Sequence, residues 1–535
     1  MSHSDPTDLE KQTILVRSLL RTLGLRHGAS QCIETHISWV IVAGEFAYKL
    51  KKAVRFDFLD YSTIESRCFF CHEEVRLNQR LAPTLYLGVV SIRGSPESAM
   101  IEVEDAGEII EYAVKMRAFS QDALWRHRIT HQGITETEVD ALARKLGAFH
   151  VTAAAAPLES AWGGLDVIRE AMEQNLSTIQ GLIDNESDRQ KFDVLRLWAS
   201  TQLSVLGAVF DIRKSRGFIR ECHGDLHCGN VLSLEGRVDA FDCIEFNDSL
   251  RWIDVLSDLA FILMDMQCHG AAALAARLLN TYLDVTGDYE DLAVLRYYLT
   301  YRALVRCKVS LLPTVQLAPK TEALAVCKSQ ASVYLSYAAQ CTAPGSPVLM
   351  ILHGFSGSGK STLARTLVGI LGAVQIASDV ERKRLHGLDP LQDTASIASV
   401  LYSTESTQKT YDRLHALASR IVSAGFSVIV DAAFLKMEER RRFALLADSL
   451  RVSFYLVDVR ATKDTMRRRL TERNKLKNDP SDANHTVLTR QLAFHEGLSD
   501  EERKHVMVVD TDSVNCTDGG AMRRLLAHAG LRGIV

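Results

Sequence analysis

The sequence predicts two domains, an N-terminal α+β domain over residues 1–342 and a C-terminal α/β domain with a parallel sheet over residues 348–535. The length of 535 residues is the first reason, because it exceeds what one hydrophobic core usually serves and suggests about two to four domains. The second is the segment 343–347, which holds two prolines and a glycine and is typical of a linker. Beyond it, apolar runs of strand length alternate with helical patterns, which is typical of a parallel sheet covered on both faces.

Composition excludes several classes of protein. The formal net charge is -4, so nothing indicates a general attraction to nucleic acid or anionic membranes. The amino terminus is polar and acidic, and no uncharged run approaches the roughly 18 apolar residues of a membrane span. The cysteines, 11 in all, are scattered and odd in number, which favours reduced thiols. We therefore expect a soluble, cytoplasmic protein with no membrane partner.

The N-terminal domain divides further by its local patterns. Strand-like runs are frequent in residues 30–117, the small lobe, and long amphipathic helical patterns dominate residues 118–342, the helical lobe. One loop, residues 223–230 with the sequence HGDLHCGN, interrupts the helical lobe between short strand-like runs. Because loops held on rigid scaffolds often carry chemistry, this loop is the first candidate site.

The residues of this loop match the needs of phosphoryl transfer. That reaction needs a carboxylate that orients and deprotonates the acceptor hydroxyl, and an amide and a second carboxylate that hold metal ions on the phosphates. Asp225, Asn230 and Asp242 supply these types in that order. The set predicts a kinase-type catalytic centre.

Lys49 is the candidate for the phosphate-binding lysine of this centre. It lies in a strand-like run between Ala47 and Leu50, where a lysine is unexpected unless its ammonium has a partner. The helical segment that follows carries Glu73 and Glu74. Either could fix Lys49, and helical periodicity does not choose between them.

The most specific motif of the chain follows the linker. Residues 354–362 fit the pattern G-x-x-x-x-G-K-[ST], with a strand-like run before them and a helical pattern after them. Glycines let consecutive backbone N–H groups point at phosphate oxygens, and the helix N-terminus adds partial positive charge. Lys360 would reach the β- and γ-phosphates, and the Ser361 hydroxyl would bind Mg²⁺. The expected nucleotide cradle comprises Gly354, Phe355, Ser356, Gly357, Ser358, Gly359, Lys360, Ser361 and Thr362.

Two acidic positions beyond this motif suggest a second catalytic centre. Asp379 and Arg382 follow the next strand-like run, at the edge where open α/β sheets bind ligands. The carboxylate is suited to accept a proton from a substrate hydroxyl, and the arginine to hold an anionic group. The alternative for Asp379 is a helix N-cap. Asp431 ends a further apolar run and is the candidate for a second Mg²⁺ ligand.

A basic helical pattern over residues 465–473 completes the candidate site. Arg469 and Arg473 are suited to a lid whose arginines meet the transferring phosphoryl group. The alternative for the run 467–469 is a solvated basic face. A nucleic-acid role is not favoured, because no aromatic residues that would stack on bases are interleaved with this stretch.

The loop HGDLHCGN, followed by Asp242 and by Trp252-Ile-Asp254-Val-Leu-Ser-Asp258, resembles the aminoglycoside phosphotransferase family of small-molecule kinases. The similarity covers roughly residues 30–340. It implies a bilobal protein-kinase-like fold, Asp225 as catalytic base, and Asn230 and Asp242 as metal ligands. It also implies Lys49 as the phosphate lysine, Glu74 as its ion-pair partner, and a supporting role for His223, Asp254 and Asp258. Unlike protein kinases, the chain shows no G-x-G-x-x-G before Lys49.

The second half resembles P-loop kinases related to polynucleotide kinase, zeta toxin and gluconate kinase. The resemblance rests on residues 354–362, Asp379-x-x-Arg382, Asp431 and the segment Asp479-Pro-Ser-Asp-Ala483, and it spans most of residues 347–510. The order of the two halves resembles a bacterial two-domain family, a phosphotransferase fused to an ATP-binding protein.

These observations lead to one functional expectation and one alternative. The expectation is an ATP- and Mg²⁺-dependent phosphotransferase, possibly bifunctional, with small-molecule or nucleotide-like hydroxyl compounds as acceptors. The alternative is an ATP-binding regulatory or sensor protein in which one kinase-like domain is catalytically silent. A mechanical ATPase is not supported, because such a protein has no use for the Asp379-x-x-Arg382 pair.

Overall fold

The computed structural model describes residues 8–56, 59–103, 107–343, 345–390, 392, 397–476, 481 and 483–528. By its internal contacts the chain forms two compact units. The first unit comprises Met1–Lys145, Phe149–Ile168 and Asp211–Asp265, and the second comprises Leu146–Ala148, Arg169–Phe210 and Met266–Val535. The helices just before the linker thus group with the C-terminal sheet. The boundary at 343–347 stays a prediction, and Pro344 within it lies outside the described residues.

An antiparallel sheet with a helix on each face opens the first unit. Its elements are α1 (Asp8–His27), β1 (Ser30–Glu34), β2 (Ser38–Ala43), β3 (Phe46–Lys51), β4 (Arg55–Phe56), β5 (Leu59–Asp60), α2 (Ile64–Asn78), β6 (Tyr86–Arg93), β7 (Met100–Ile101) and β8 (Ile109–Arg117). The main sheet has the order β1-β2-β3-β8-β6-β7, and its pairs are antiparallel. Leu15 and Leu19 of α1 pack on Trp39, whereas Cys71 of α2 packs with Val114 in a separate cluster. Alternation along the strands therefore buries both faces.

Helices and two short strand pairings follow. They are α3 (Trp125–His131), α4 (Glu136–Thr152), α5 (Leu165–Gln180), α6 (Glu186–Ser215), β9 (Ile219–Glu221), β10 (Val231–Leu234), β11 (Arg237–Ala240), α7 (Asp248–Arg251), β12 (Trp252–Asp254) and α8 (Val255–Cys268). The loop 223–230 lies between β9, which pairs with β12, and β10, which pairs with β11. The predicted loop between short strands in a helical region is thus present.

The second unit contains a five-stranded parallel sheet in the order β14-β15-β13-β16-β17. Its buried core includes Met350 and Leu352 of the central strand, Leu367 of the next helix and Ala276 from a helix that precedes the linker. The elements are α9 (Ala272–Thr286), α10 (Ala293–Leu311), α11 (Glu322–Thr342), β13 (Val348–His353), α12 (Lys360–Leu371), β14 (Val374–Ala377), α13 (Ser378–Leu385), α14 (Ala398–Leu401), α15 (Thr404–Ser423), β15 (Val428–Asp431), α16 (Met437–Leu450), β16 (Ser453–Arg460), α17 (Lys463–Leu476), α18 (His485–Phe494), α19 (Asp500–His505), β17 (Met507–Asp510) and α20 (Gly519–His528).

The predicted fold classes are confirmed by this architecture. An antiparallel sheet followed by a mainly helical region forms the α+β part, and β13 to β17 form the parallel sheet of the α/β part. Short 3-10 helices cover Pro96–Ser98, Gln121–Ala123, Cys228–Asn230 and Leu312–Val315. Within the described ranges, no helix combines the length and apolar character needed to cross a membrane.

A buried ion pair joins α6 to β12 in the first unit. Arg213 Nε donates to Asp254 Oδ2 at 2.7 Å and Arg213 Nη2 to Asp254 Oδ1 at 2.8 Å, and both side chains are 1% exposed or less. Asp254 Oδ1 also accepts from the backbone N–H of Leu256 at 2.8 Å, at the start of α8. The pair therefore sets the direction in which the chain enters α8, the helix that supports the loop 223–230.

Replacing Arg213 by methionine should destabilise the first unit, because methionine keeps the apolar stem and leaves the Asp254 carboxylate buried without its cation. Removing one partner of a buried ion pair costs about 3–5 kcal/mol. Urea unfolding followed by circular dichroism measures this loss. Arg196→Met is the matched control on the same helix, where the arginine is exposed, and should change the free energy of unfolding by less than about 0.5 kcal/mol. Equal stability of the two variants would show that the pair contributes nothing.

Candidate active sites

The first candidate site brings together Lys49 of β3, Glu74 of α2 and Asp242. Lys49 Nζ lies 2.8 Å from Glu74 Oε1 and 2.6 Å from Asp242 Oδ1. Glu73 points away from this site and pairs with Arg76, one turn along the helix. The register of α2 therefore resolves the choice that the sequence left open, and Glu74 is the partner of Lys49.

A second lysine, which is buried, shares the same glutamate. Lys51 Nζ lies 2.7 Å from Glu74 Oε2 and forms a further ion pair with Glu245, which also accepts a hydrogen bond from the Tyr61 hydroxyl. Burial by itself would raise the pKa of Glu74, but Lys49 and Lys51 outweigh it and lower the pKa to about 2. Lys51 is not among the residues predicted from the sequence. Its position two residues after Lys49, on the same face of the strand, was the available signal.

The loop 223–230 holds Asp225 and Asn230 against each other. Asn230 Nδ2 donates to Asp225 Oδ2 at 3.1 Å and to the Asp225 backbone oxygen at 2.9 Å. Gly224 has φ +88°, and a Cβ there would fall 2.7 Å from the Leu250 backbone oxygen. Only glycine therefore allows the chain to turn at this point and present Asp225, whose side chain is 36% exposed.

Asp258 and His223 hold the backbone of this loop in place through hydrogen bonds. The two Asp258 carboxylate oxygens accept from the backbone N–H groups of His223 at 3.0 Å and Gly224 at 2.9 Å. His223 Nδ1 accepts from the Asp225 N–H at 3.2 Å, so Nε2 carries the proton and donates to the Phe241 oxygen at 2.8 Å. Burial lowers the pKa of His223 against the pull of Asp258 and Asp225, which favours this neutral form. His150, missed by sequence analysis, lies 3.2 Å from Asp258 through Nε2.

The residues predicted to bind a metal in the first unit have suitable chemistry. Asp242 sits in the left-handed region with φ +65°, and its side chain is 44% exposed. Carboxylate and amide oxygens are the protein ligands that Mg²⁺ prefers, and Asp242, Asn230 and Asp225 offer them around one loop. The set fits a magnesium-bound phosphate with Lys49 beside it.

The motif 354–362 forms a phosphate cradle in the second unit. Residues 354–359 connect β13 to α12, and Lys360, Ser361 and Thr362 form the first turn of that helix. Gly357 has φ +84°, and a Cβ there would lie 2.7 Å from the Met466 oxygen. Within the part of the chain that the structure describes, the Ser358 hydroxyl is buried and has no hydrogen-bond partner. A buried hydroxyl with no partner, next to a helix N-terminus, fits a phosphate group.

Lys360, Ser361 and Asp431 lie together at this cradle. Lys360 Nζ donates to the Phe355 backbone oxygen at 2.8 Å. Burial lowers the pKa of Lys360 although Asp431 and Asp379 oppose the shift. Burial raises the pKa of Asp431, which Lys360 and a hydrogen bond from Ser361 oppose. Gln375, missed by sequence analysis, donates through Nε2 to Asp431 Oδ2 at 3.1 Å. Ser361 and Asp431 together fit a magnesium ligand set.

Asp379 and Arg382 lie on α13, directly after β14. The N-cap of this helix is Ala377, without a side-chain capping bond, and Asp379 stands in the first turn. The structure therefore does not use Asp379 as the N-cap. Arg382 Nη1 donates to Asp379 Oδ1 at 3.0 Å, and its guanidinium lies 4.6 Å from the centre of the Tyr402 ring. Arg382 Nε is buried and has no hydrogen-bond partner among the described residues.

The arginines of α17 divide into two groups. Arg467 and Arg468 are exposed, as a solvated basic face would be. Arg469 lies against the backbone of the cradle. Its Nη1 donates to Thr511 Oγ1 at 2.7 Å and to the Ser358 backbone oxygen at 3.3 Å. Arg469 thus braces the backbone of the cradle in this structure. Its role toward a phosphoryl group stays a prediction.

Arg473 lies one turn further along α17. Its Nη2 donates to the Ala483 oxygen at 2.5 Å, and its Nε is buried with no hydrogen-bond partner in the described ranges. Of the segment Asp479–Ala483 named from the sequence, positions 479, 480 and 482 lie outside the described residues. A pairing that sequence analysis also missed is His353, directly before the cradle, whose Nδ1 lies 2.7 Å from Asp458 Oδ1.

Comparison with known proteins gives one family match and several similar chains. Residues 349–498 match the family model described as an AAA domain, a range that contains the whole cradle. An uncharacterized protein of Mycobacterium tuberculosis (strain ATCC 25618 / H37Rv) is 29% identical over 444 residues, which are 82% of this chain and 85% of that protein. The family match confirms that the predicted C-terminal nucleotide-binding part resembles known proteins.

The similar chains include two solved structures. A choline/ethanolamine kinase family protein from Mesorhizobium loti is 13% identical and covers 61% of this chain and 99% of its own, with a TM-score of 0.34. A gluconokinase from Sinorhizobium meliloti 1021 is 20% identical and covers 35% of this chain and 93% of its own, with a TM-score of 0.25.

Asp258→Asn should loosen the loop 223–230, because an amide has one acceptor oxygen where the carboxylate offers two to the N–H groups of His223 and Gly224. Hydrogen bonds to charged groups contribute about 1.5–3 kcal/mol, so amide hydrogen exchange of residues 223–225 should become about 10-fold faster or more. Asp211→Asn, a change at an exposed position of α6 in the same unit, is the control and should leave this exchange unchanged. Unchanged exchange in both variants, with α8 still protected, would contradict the bracing role.

Proposed function

We infer that the protein is an ATP- and Mg²⁺-dependent phosphotransferase with two nucleotide sites, each transferring the γ-phosphoryl group to a hydroxyl of a small-molecule or nucleotide-like acceptor. One observation carries this: each unit contains a partly buried lysine, a carboxylate suited to accept a proton and a set of oxygens suited to bind metal, held by hydrogen bonds and ion pairs within that unit. Proteins that only bind nucleotide have no need of the carboxylate base.

In the first site, Asp225 would accept the proton of the acceptor hydroxyl while Asn230 holds its carboxylate in orientation. Asn230 and Asp242 would hold Mg²⁺, which neutralises phosphate charge when bound. Lys49 would contact the phosphates, and Glu74 keeps the ammonium in place by their 2.8 Å pair. Lys51 contacts the other carboxylate oxygen of Glu74, and this second cation also favours the ionised form of Glu74.

In the second site, the backbone of residues 354–359 and Lys360 would hold the phosphates, with Ser361 and Asp431 on Mg²⁺. Asp379 would accept the proton of the acceptor hydroxyl. Arg382 is suited to an anionic group of the acceptor, since its Nε is buried without a hydrogen-bond partner in the described residues. Arg473 would approach the transferred group, and Arg469 would keep the cradle in shape.

Two variants separate the two activities. Asp225→Asn removes the base of the first site and Lys360→Ala removes the cation of the second, so each should abolish a different set of products. The measurement is transfer of the γ-phosphoryl group from ATP to the compounds of a metabolite extract, read by mass spectrometry. Loss of a general base lowers the rate by about 100-fold or more. Lys409→Ala, at an exposed lysine of α15, is the control.

The outcomes distinguish the proposal from its alternative. Two product sets, each lost in one variant, support two active sites. A single product set that survives one of the variants indicates that the corresponding domain is silent and serves as an ATP-binding regulator. Product formation unchanged in both variants would refute the proposal.

A further inference from the structure

We propose that Asn280, on a helix that precedes the linker, is a positioning residue of the P-loop site and sets its metal-binding carboxylate through Gln375. The inference rests on the proposed function of that site, and it adds a part of the chain that carries none of the site's motifs. Its basis is a continuous chain of contacts from α9 to Asp431.

The chain of contacts begins at the edge of the parallel sheet. β14 is an edge strand, and such a strand presents backbone N–H and C=O groups that no neighbouring strand pairs. The Asn280 side chain takes the place of a strand there. Its Nδ2 donates to the Ala373 oxygen at 2.9 Å, and its Oδ1 accepts from the Gln375 N–H at 2.6 Å. A side-chain amide is suited to this role because it has a donor and an acceptor side by side.

Asn280 is itself held in place. Only 7% of it is exposed, and its Nδ2 also donates to the Ala276 oxygen one turn earlier at 2.8 Å. Ala276 belongs to the buried core under the parallel sheet. Rotation of the Asn280 side chain would therefore break three hydrogen bonds in a buried place, each unmade donor or acceptor costing about 1–3 kcal/mol.

The second step leads from the edge strand to the metal-type carboxylate. Gln375, whose N–H is fixed by Asn280, donates through Nε2 to Asp431 Oδ2 at 3.1 Å. Asp431 is 6% exposed and also accepts a hydrogen bond from Ser361. Partners that orient a metal ligand fix its geometry, and their loss typically lowers metal affinity about 10- to 100-fold. Asn280 acts one step further out, by fixing the backbone from which Gln375 extends.

Helix α9 also contacts α13, which starts directly after β14 and carries Asp379 and Arg382. Arg384 Nη2 on this helix donates to the Asp284 oxygen in the last turn of α9 at 2.7 Å, a favourable position for a cation. Its Nε donates to Glu381 Oε1 at 2.9 Å. The same segment of the chain, α9, thus holds both ends of β14-α13, so the acceptor carboxylate and the metal carboxylate depend on one support.

The test compares Asn280→Ala with Asn175→Ala in the full chain. Asn175 is an equally buried asparagine on α5 of the same unit, so it reproduces the loss of packing without touching β14. The probes are Mn²⁺ or Mg²⁺ and a fluorescent ATP analogue, and the second site is defined as the binding that Lys360→Ala removes. Asn280→Ala should raise the half-saturating metal concentration about 10-fold. Asn175→Ala should leave it within about twofold.

Two further readouts separate positioning from mere stability. Amide exchange at Gln375 should be faster in Asn280→Ala, and the double variant with Gln375→Leu should bind metal no more weakly than Gln375→Leu alone, because the two residues act in series. If Asn280→Ala folds poorly, Asn280→Leu keeps most of the side-chain volume, lacks both the donor and the acceptor and should give the same metal shift.

Each outcome bears on one claim. Equal metal dependence in Asn280→Ala and Asn175→Ala, or additive effects with Gln375→Leu, would overturn the inference and leave the proposed function intact. Nucleotide binding that Lys360→Ala does not reduce would overturn the proposed function of the second site itself.

Discussion

One buried carboxylate, Glu74, is the constraint on which the first site depends. Removing a charge from water costs several kcal/mol unless a partner compensates, and Glu74 has two, Lys49 and Lys51. Lys49 also forms an ion pair with Asp242, and Lys51 also forms one with Glu245. These ion pairs therefore fix the relative positions of three elements, which are strand β3, helix α2 and the segment that carries Asp242. Displacing α2 would leave the buried Glu74 carboxylate without its two cations and each lysine with one carboxylate partner fewer.

The second unit also has a lysine near carboxylates, in a different fold. Asp431 and Asp379 raise the pKa of Lys360 and Lys360 lowers that of Asp431, whereas burial works against the charged form of both Lys360 and Asp431. In both units, opposite charges thus lie near one another at the candidate site. The difference lies in what fixes them: side-chain ion pairs in the first unit, and the turn of the cradle with the N-terminus of α12 in the second.

Sequence alone could predict the parts of the sites that lie in contiguous residues. The cradle, the loop 223–230 and the fold classes follow from local spacing and periodicity. Glu245 and Asn280 could not be found this way, because their partners Lys51 and Gln375 are far away along the chain and a single sequence carries no record of distant contacts. The run of arginines in α17 shows a subtler limit. Arg468 and Arg469 look alike in sequence, and only the register of the helix turns one to solvent and the other to the cradle.

The asparagine at the sheet edge also bears on how the chain can be divided. A fragment that begins at the linker would contain the cradle, Asp379, Arg382 and Asp431, yet it would lack the side chain that covers the outer edge of β14. It would also expose the core positions on which Ala276 packs. Uncovered strand edges pair readily with one another, so such a fragment should self-associate through β14. The shortest segment that contains every motif of the second site and the shortest that stays soluble therefore begin at different residues.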